Sequence, residues 1–575
     1  PLCVLAGAGS GKTTVLTRRV ARRVLDGSAD VEHTLVVTFT RKAATELRSR
    51  MARLGVSGQV WAGTFHAAAY GQLRRYWADH DVRPRALLDE PARLLQKILG
   101  EPSGDEGGVH VMDGTPRSPG VATGLVAAVA AEVHWAQVSL VTPKSFAQAA
   151  RRSGRTIPMA FEQVAQAYAR YGEEKRRRGL VDLDDLIDDC ARLLENDEEA
   201  AAAQRWRIRH LFVDEFQDLN PAQWRLLQAW LGGRGDLFVV GDPRQAVYGW
   251  NGADPTLIQR LPELLPETSV LHLDQNHRSS PQIVAAARAV SDASTNSDAR
   301  PSSLGTVSSN DGSPVCDPAG TDRPDGPAPV VVAFDTDESE AIAVARWLRQ
   351  AHRPGRIWSQ LAVLARTNSR LESVATVLRR TGIPYRITTP AASASRADLD
   401  TLRDALSLLR AQPADRPLRS ALAEVVVCSE EGDRPEGPLG DPSTERESSR
   451  GLPPELARQT DEVDLMTFHK AKGLEWRAVA VVGLEDGIVP IAYALTSEAL
   501  AEERRLLYVA MTRAEEELWC SWSSSRRARD RIWACNRSPF LDAVEAAVRA
   551  ARPTNDLESR RARVADLRAR LLAVG

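Results

Sequence analysis

No apolar run in the 575 residues approaches the roughly 18 needed to span a bilayer, and no charged n-region with an apolar stretch behind it opens the chain. Neither a membrane protein nor a secreted one is expected, and the expected location is the cytoplasm. The six cysteines, at positions 3, 190, 316, 428, 520 and 535, form no CxxC pair and no Cys/His spacing suited to zinc, so reduced thiols are expected rather than a disulfide framework or a structural metal. A net charge of −2 supplies no global basic field, so any nucleic-acid binding must rest on local grooves. Lysine is scarce, seven of 74 basic residues, and four of the seven (Lys12, Lys42, Lys470, Lys472) fall inside the motifs described below. A chain biased toward Arg keeps Lys where a compact point charge is needed.

What is present is a large chain, 43% hydrophobic and long enough for roughly three to four domains. Three Pro/Gly/Ser/Asp-rich stretches, about 99–122, 291–329 and 429–456, have the composition of loops or linkers. Apolar strand candidates are Leu2–Leu5, Leu35–Phe39, Leu211–Val213 and Leu237–Val240 in the first half, and Val330–Phe334, Leu361–Leu364 and Val479–Val482 in the second. Helical patterns separate them, which predicts an α/β chain with two parallel sheets. The stretch 67–204 is helical in pattern and reads as an insertion into the first sheet domain (1–66 and 205–290). A second sheet domain is expected over 330–410 and 461–545, interrupted by a short segment at 411–460 and followed by a helical tail at 546–575.

The most informative segment is Ala6-Gly7-Ala8-Gly9-Ser10-Gly11-Lys12-Thr13, between an apolar strand and a helix with Leu16, Val20 and Val24 on one face. Small residues let backbone N–H groups curl around phosphates at a helix N-terminus, Lys12 reaches the outer phosphates, and the Thr13 hydroxyl can hold Mg²⁺. The apolar strand Leu211-Phe212-Val213 runs into Asp214-Glu215, where one carboxylate can support the metal and its neighbour can orient a water as general base. Leu237–Val240 leads to Gly241-Asp242-Pro243-Arg244-Gln245 and then Tyr248 and Trp250. Gln245 is placed to sense a γ-phosphate. The two aromatics fit core packing or base stacking, and their position beside Gly249 and Gly252 favours exposure.

The motifs AGAGSGKT, VVTFTRKAATELRSRM, AGTFHA, LFVDEFQD, VVGDPRQAVYGW, LDQNHRSS, VLARTNSRLE, DLMTFHKAKGLEW and EERRLLYVAMTRA occur in this order. The chain thereby resembles a superfamily 1 DNA helicase of the UvrD/Rep/PcrA type. The resemblance implies two RecA-like domains with ATP between them, Mg²⁺ as cofactor, and domain closure that couples hydrolysis to movement. By resemblance, ATP is held by Ala6 to Thr14 together with His277 and Glu475, the latter on the ribose, and Mg²⁺ by Thr13 and Asp214. Lys12, Glu215, Gln245 and the arginine fingers Arg278 and Arg513 are the implied catalytic residues. Thr38, Phe39, Arg41, His66, Tyr248, Trp250, Arg366, Asn368 and His469 are the implied contacts to single-stranded DNA. For His66 and His469 a satisfied core or capping histidine stands beside the ligand reading, and for the run Lys175–Arg178 a solvated helix face is the preferred one.

Several positions depart from the family pattern. Thr14 and Asn251 stand where many relatives have Arg, and His277 where many have an adenine-stacking Tyr. The chain as given has five residues before the loop and no counterpart of the upstream adenine-reading Gln, so weaker base selectivity is expected. The short 411–460 segment stands where relatives insert a duplex-contacting subdomain, which predicts little processivity without a partner or dimer. The expected activity is ATP-dependent 3′ to 5′ movement on single-stranded and tailed duplex DNA with unwinding, in repair or replication and with protein partners from those processes. The alternatives are a DNA-stimulated translocase that does not unwind independently and a non-catalytic DNA-binding scaffold.

Overall fold

A computed structural model describes residues 1–56, 60–100, 123–292, 321–387, 461–528 and 531–551. These fall into two compact units, one built from Pro1–Gly7 and Gly11–Leu273, the other from Ala8–Ser10 and the described residues from Asp274 onward. The expected insertion at 411–460 and most of the expected linker and C-terminal tail lie outside the described residues.

The first unit is built on a parallel sheet of β1 (Leu2–Ala6), β2 (Thr34–Thr38), β3 (Trp61–Thr64), β6 (His210–Val213), β7 (Leu237–Gly241) and β8 (Ser269–Leu273), ordered β3-β2-β6-β7-β1-β8. The short strands β4 (Ala86–Leu87) and β5 (Leu180–Val181) pair separately. Successive strand residues point to opposite faces. Val4, Val36, Phe212, Phe238 and Val240 therefore pack on α1 (Lys12–Leu25) and α2 (Arg41–Arg53). Cys3, Leu35, Val37, Leu211, Val213 and Val239 join the opposite core, with α3 (Phe65–Asp79), α8 (Leu183–Asn196), α10 (Pro221–Leu231) and α11 (Leu257–Leu264). A separate core joins α4 (Pro91–Gly100), α5 (Thr123–Val138), α6 (Phe146–Arg152) and α7 (Phe161–Arg178), while α9 (Glu198–Arg207) adds Ala201 to the sheet core. The helical insertion with a core of its own is thus narrower than 67–204, because α3 and α8 bury their apolar faces against the sheet.

In the second unit, β9 (Val330–Phe334), β10 (Leu361–Ala365), β11 (Tyr385–Ile387), β12 (Val463–Thr467), β13 (Trp476–Val482) and β14 (Ala514–Ser523) form a parallel sheet ordered β11-β12-β10-β13-β14-β9. The hairpin β15 (Ser525–Ala528) and β16 (Arg531–Ala534) follows it. Helix α12 (Pro281–Asp292) precedes the sheet and packs with α15 (Ser497–Met511) and α16 (Leu541–Ala551), so the boundary falls at Leu273 rather than near residue 290. Helices α13 (Asp337–Ala351) and α14 (Asn368–Arg380) cover one sheet face. Beyond the C-terminal end of β13, buried Arg526 bonds Glu340 at 2.6 Å and Glu485 at 2.6 and 2.8 Å, and Glu340 also accepts the Gly483 N–H at 3.1 Å.

Every strand expected from the sequence is present. In the two six-stranded sheets the sequence signal did not reveal β3, β8, β11, β12 or β14, and it also passed over the short strands β4, β5, β15 and β16; for three of these the reason is visible. β8 is an edge strand with exposed side chains. β12 is interrupted by Asp464, whose buried carboxylate is satisfied by Arg386 and by the Trp476 indole N–H at 2.8 Å. β14 opens with three glutamates, two of which hold the buried guanidinium of Arg356.

Candidate nucleotide and nucleic-acid site

In the first unit, the predicted chemical groups gather at the C-terminal ends of β1, β6 and β7, where open parallel sheets bind ligands. β1 runs into the small-residue loop, and Gly11, at φ 83°, opens α1 at Lys12. That left-handed backbone favours glycine. Ala6, Ala8 and Ser10 are buried. Lys12 is also buried, its Nζ accepted by no hydrogen-bond partner and 3.9 Å from Asp242 Oδ2. Thr13 and Thr14 lie in the first turn of α1, and Thr14 Oγ1 accepts from Arg50 at 3.3 Å.

Asp214 and Glu215 follow β6. Burial, reinforced by the charge of Glu215, pushes the Asp214 carboxyl up to about 7 against the pull of Lys12. Glu215 takes φ 53°, a left-handed backbone rare for a side-chain-bearing residue and costing about 1–3 kcal/mol. Its carboxylate accepts from Gln217 Nε2, while Gln217 Oε1 accepts the Asp242 N–H at 2.9 Å. Gln245 Nε2 donates to Asp242 Oδ2 at 2.6 Å. A hydrogen-bonded chain therefore links Glu215, Gln217, Asp242 and Gln245 across the ends of β6 and β7. A buried ammonium without an acceptor and a carboxyl kept from ionising by burial and a neighbouring charge fit a polyphosphate and a divalent cation respectively.

The loop tip groups with the second unit. Asn276 Nδ2 donates to the Ala8 carbonyl at 2.8 Å, the His277 N–H donates to the Gly9 carbonyl at 2.8 Å, and a Cβ on Gly9 would lie 2.7 Å from Arg278 Cβ. Arg278 Nε donates to Glu475 at 2.7 Å, so the structure pairs an expected finger with the expected ribose acid. Arg513 is buried and donates to the carbonyls of Val509 at 2.9 Å and Leu474 at 3.2 Å. His277, expected to stack on adenine, pairs with Asp322 at 2.7 Å.

The expected DNA contacts divide by exposure. Trp250 is 54% exposed, as its glycine neighbours predicted, whereas Tyr248, on the same turn after Gln245, is half-buried. Arg41 is exposed, and the Thr38 hydroxyl is buried with no hydrogen-bond partner. Phe39 packs against the core beside Phe65, and burial holds the His66 imidazole below its ordinary pKa. In the second unit, Arg366 bonds both oxygens of Glu503 at 2.7–3.1 Å, which commits its fork to a buried carboxylate. Burial and the charge of Arg366 push the His469 imidazole down to about 4, and Asn368 Oδ1 is buried without a partner. In the basic run, Arg176–Arg178 form the exposed face that was expected, but Lys175 is buried on Asp182 and Asp185, the latter at 2.7 Å.

Residues 1–266 match the UvrD/REP helicase N-terminal domain, and 271–409 with 448–525 match the UvrD-like helicase C-terminal domain. The ATP-dependent DNA helicase UvrD2 of Mycobacterium tuberculosis is 34% identical over 597 residues, spanning 96% of this chain and 80% of that protein. The chain belongs to the UvrD-like helicases. DNA helicase II of Escherichia coli is 28% identical over 92% of this chain and 83% of its own length, and PcrA of Leuconostoc citreum 26% identical over 94% and 82%.

For this UvrD-like helicase, sequence reading passed over three residues that the structure places in the site: Gln217, Asp242 and Asn276. Each lies inside a quoted motif, within three residues of a residue singled out from it, and that proximity was the available signal. What they touch depends on which strands are neighbours, which only the topology shows. Among the described residues, no helix is long and apolar enough to cross a membrane, no His/Cys/Asp/Glu group is arranged to hold a metal ion, and Cys3, Cys190, Cys520 and Cys535 are free thiols.

Proposed function

We propose that this UvrD-like helicase is an ATP-driven motor that moves 3′ to 5′ on single-stranded DNA and separates duplex ahead of it, in repair or replication. ATP-dependent DNA helicase activity comes with its family; polarity, pathway and residue roles are the proposal. The observation that carries it is the continuity of Gln245 with the turn bearing Tyr248 and Trp250: a group suited to sense the γ-phosphate sits five residues from an exposed aromatic.

In this reading the Gly-rich loop and Lys12 bind the phosphates, and Thr13 and Asp214 hold Mg²⁺. The metal, when bound, neutralises charge on the β- and γ-phosphates. Glu215, anchored by Gln217, takes a proton from the attacking water, while Gln245 passes the state of the γ-phosphate to the aromatic turn. Arg278 and Arg513 supply positive charge to the transferring phosphoryl group, a role worth about 10³–10⁵ in rate. Tyr248 and Trp250 stack on bases at about 1–3 kcal/mol each, and stacking tolerates any sequence because every base has a face. By resemblance, Arg41, Thr38 and Asn368 offer further polar contacts to the strand.

Unwinding of a duplex with a 3′ tail in preference to a 5′ tail tests this reading, and the reverse preference overturns the polarity. A second reading, a translocase that does not unwind independently, is supported by the shortness of 411–460. Stepping on single strands without strand separation would select it.

A further inference from the structure

The turn that carries Trp250 is fastened from behind by the helical insertion. Gly252, at φ +89°, lies so close to the end of α5 that a Cβ there would fall 2.4 Å from Val138 Cγ2 and 3.3 Å from Ser139 Oγ. One turn earlier on α5, the His134 imidazole faces the side chain of Asn251, which helps to raise its pKa. Its Nδ1 lies 2.5 Å from Asp184 Oδ2, in the first turn of α8. That end of α8 is itself fixed. Asp182 and Asp185 form a reciprocal capping box, and the Asp182 carboxylate accepts from Lys175 and, at 2.9 Å, from Tyr171. Burial opposes charge on His134, but the bond to Asp184, the charges of Asp184 and Asp182, and the nearby Asn251 side chain outweigh it and raise its pKa.

We propose that His134 is a positioning residue: the path Asp184, His134, Asn251 ties the helical insertion to the aromatic turn and sets the angle at which Trp250 meets single-stranded DNA. The inference rests on the reading of that turn as a DNA contact. The bonds described for His134 and Asn251 run to Asp184 and to the Tyr248 carbonyl rather than to the residues assigned to phosphate chemistry, so hydrolysis without DNA is expected to be independent of the path.

The test uses the full chain and measures ATP hydrolysis against oligo(dT) concentration. His134→Ala and Asn251→Ala are each expected to raise the oligo(dT) concentration for half-maximal stimulation by about three- to tenfold, the worth of one hydrogen bond, with DNA-free hydrolysis unchanged. The double variant is expected to be no worse than the weaker-binding single, because both cut the same path. His134→Gln, whose amide can bridge Asp184 and Asn251, is expected to recover at least half of the loss. Asn251→Ala, on a surface turn, carries the test if His134→Ala does not fold. Trp250→Ala serves as the reference. If it weakens DNA binding while His134→Ala and Asn251→Ala do not, or if their effects add, the positioning role is overturned. If Trp250→Ala leaves the half-maximal concentration unchanged, the DNA reading of the turn falls and this inference falls with it.

Discussion

Asp214→Asn is expected to stabilise this protein while abolishing its hydrolysis. Asp214 is buried beside Glu215, and its carboxyl is held up to about 7 from the ordinary 3.8. The unfolded chain releases that proton near pH 4 and the folded chain only near pH 7. Between those values the folded state binds more protons, so stability falls as pH rises through that window. At about 1.4 kcal/mol per pH unit, the interval of roughly three bounds the cost at about 4 kcal/mol above pH 7. Lys12 loses part of its counter-charge in the variant, which leaves a net gain of about 1–3 kcal/mol. For a domain of this size that is a rise of roughly 2–4 °C per kcal/mol in melting temperature. The assay is thermal melting of both proteins at pH 8 and pH 5 without nucleotide or Mg²⁺. The variant should melt several degrees higher at pH 8 and by a clearly smaller margin at pH 5, where only about 1.2 of the roughly three pH units between the unfolded and folded values have been crossed. Equal destabilisation at both pH values would refute the reasoning.

Gln217→Ala should lower kcat by about tenfold to a hundredfold with little change in the KM for ATP, because it frees Glu215 and strands the Asp242 N–H without touching the phosphate loop; steady-state kinetics check it. Arg513→Ala should cut DNA-stimulated turnover by about 10³ or more while equilibrium binding of a fluorescent ATP analogue survives. Arg526→Met should destabilise the second unit by about 3–5 kcal/mol, since it leaves the buried carboxylates of Glu340 and Glu485 unpaired, and urea unfolding should show a smaller loss at pH 5 than at pH 8.

The phosphate loop, the paired acids after β6 and the turn after β7 were legible in the sequence because each is a local pattern: an apolar strand, then a few residues whose types limit the chemistry. Seven of the twelve strands of the two six-stranded sheets were legible for the same reason. What stayed hidden depends on neighbours distant in the chain. Gln217 reads as an unremarkable polar residue until β6 and β7 are known to be adjacent, when its amide spans both strand ends. Lys175 looked solvated because three arginines follow it, yet a carboxylate seven residues on draws it into the protein. Helices α3 and α8 read as part of the insertion because helical periodicity does not reveal which core a helix joins. Arg366 matched a DNA-contact motif, but its partner Glu503 is 137 residues away.

The claim on which the rest depends is that the nucleotide apparatus answers to single-stranded DNA. The direct measurement is the steady-state rate of ATP hydrolysis by the purified chain with and without oligo(dT), beside Glu215→Gln. The account predicts a rate that rises at least about tenfold with oligo(dT), and a variant at least about 10² slower under both conditions. Equal rates with and without DNA in the unaltered protein would contradict it.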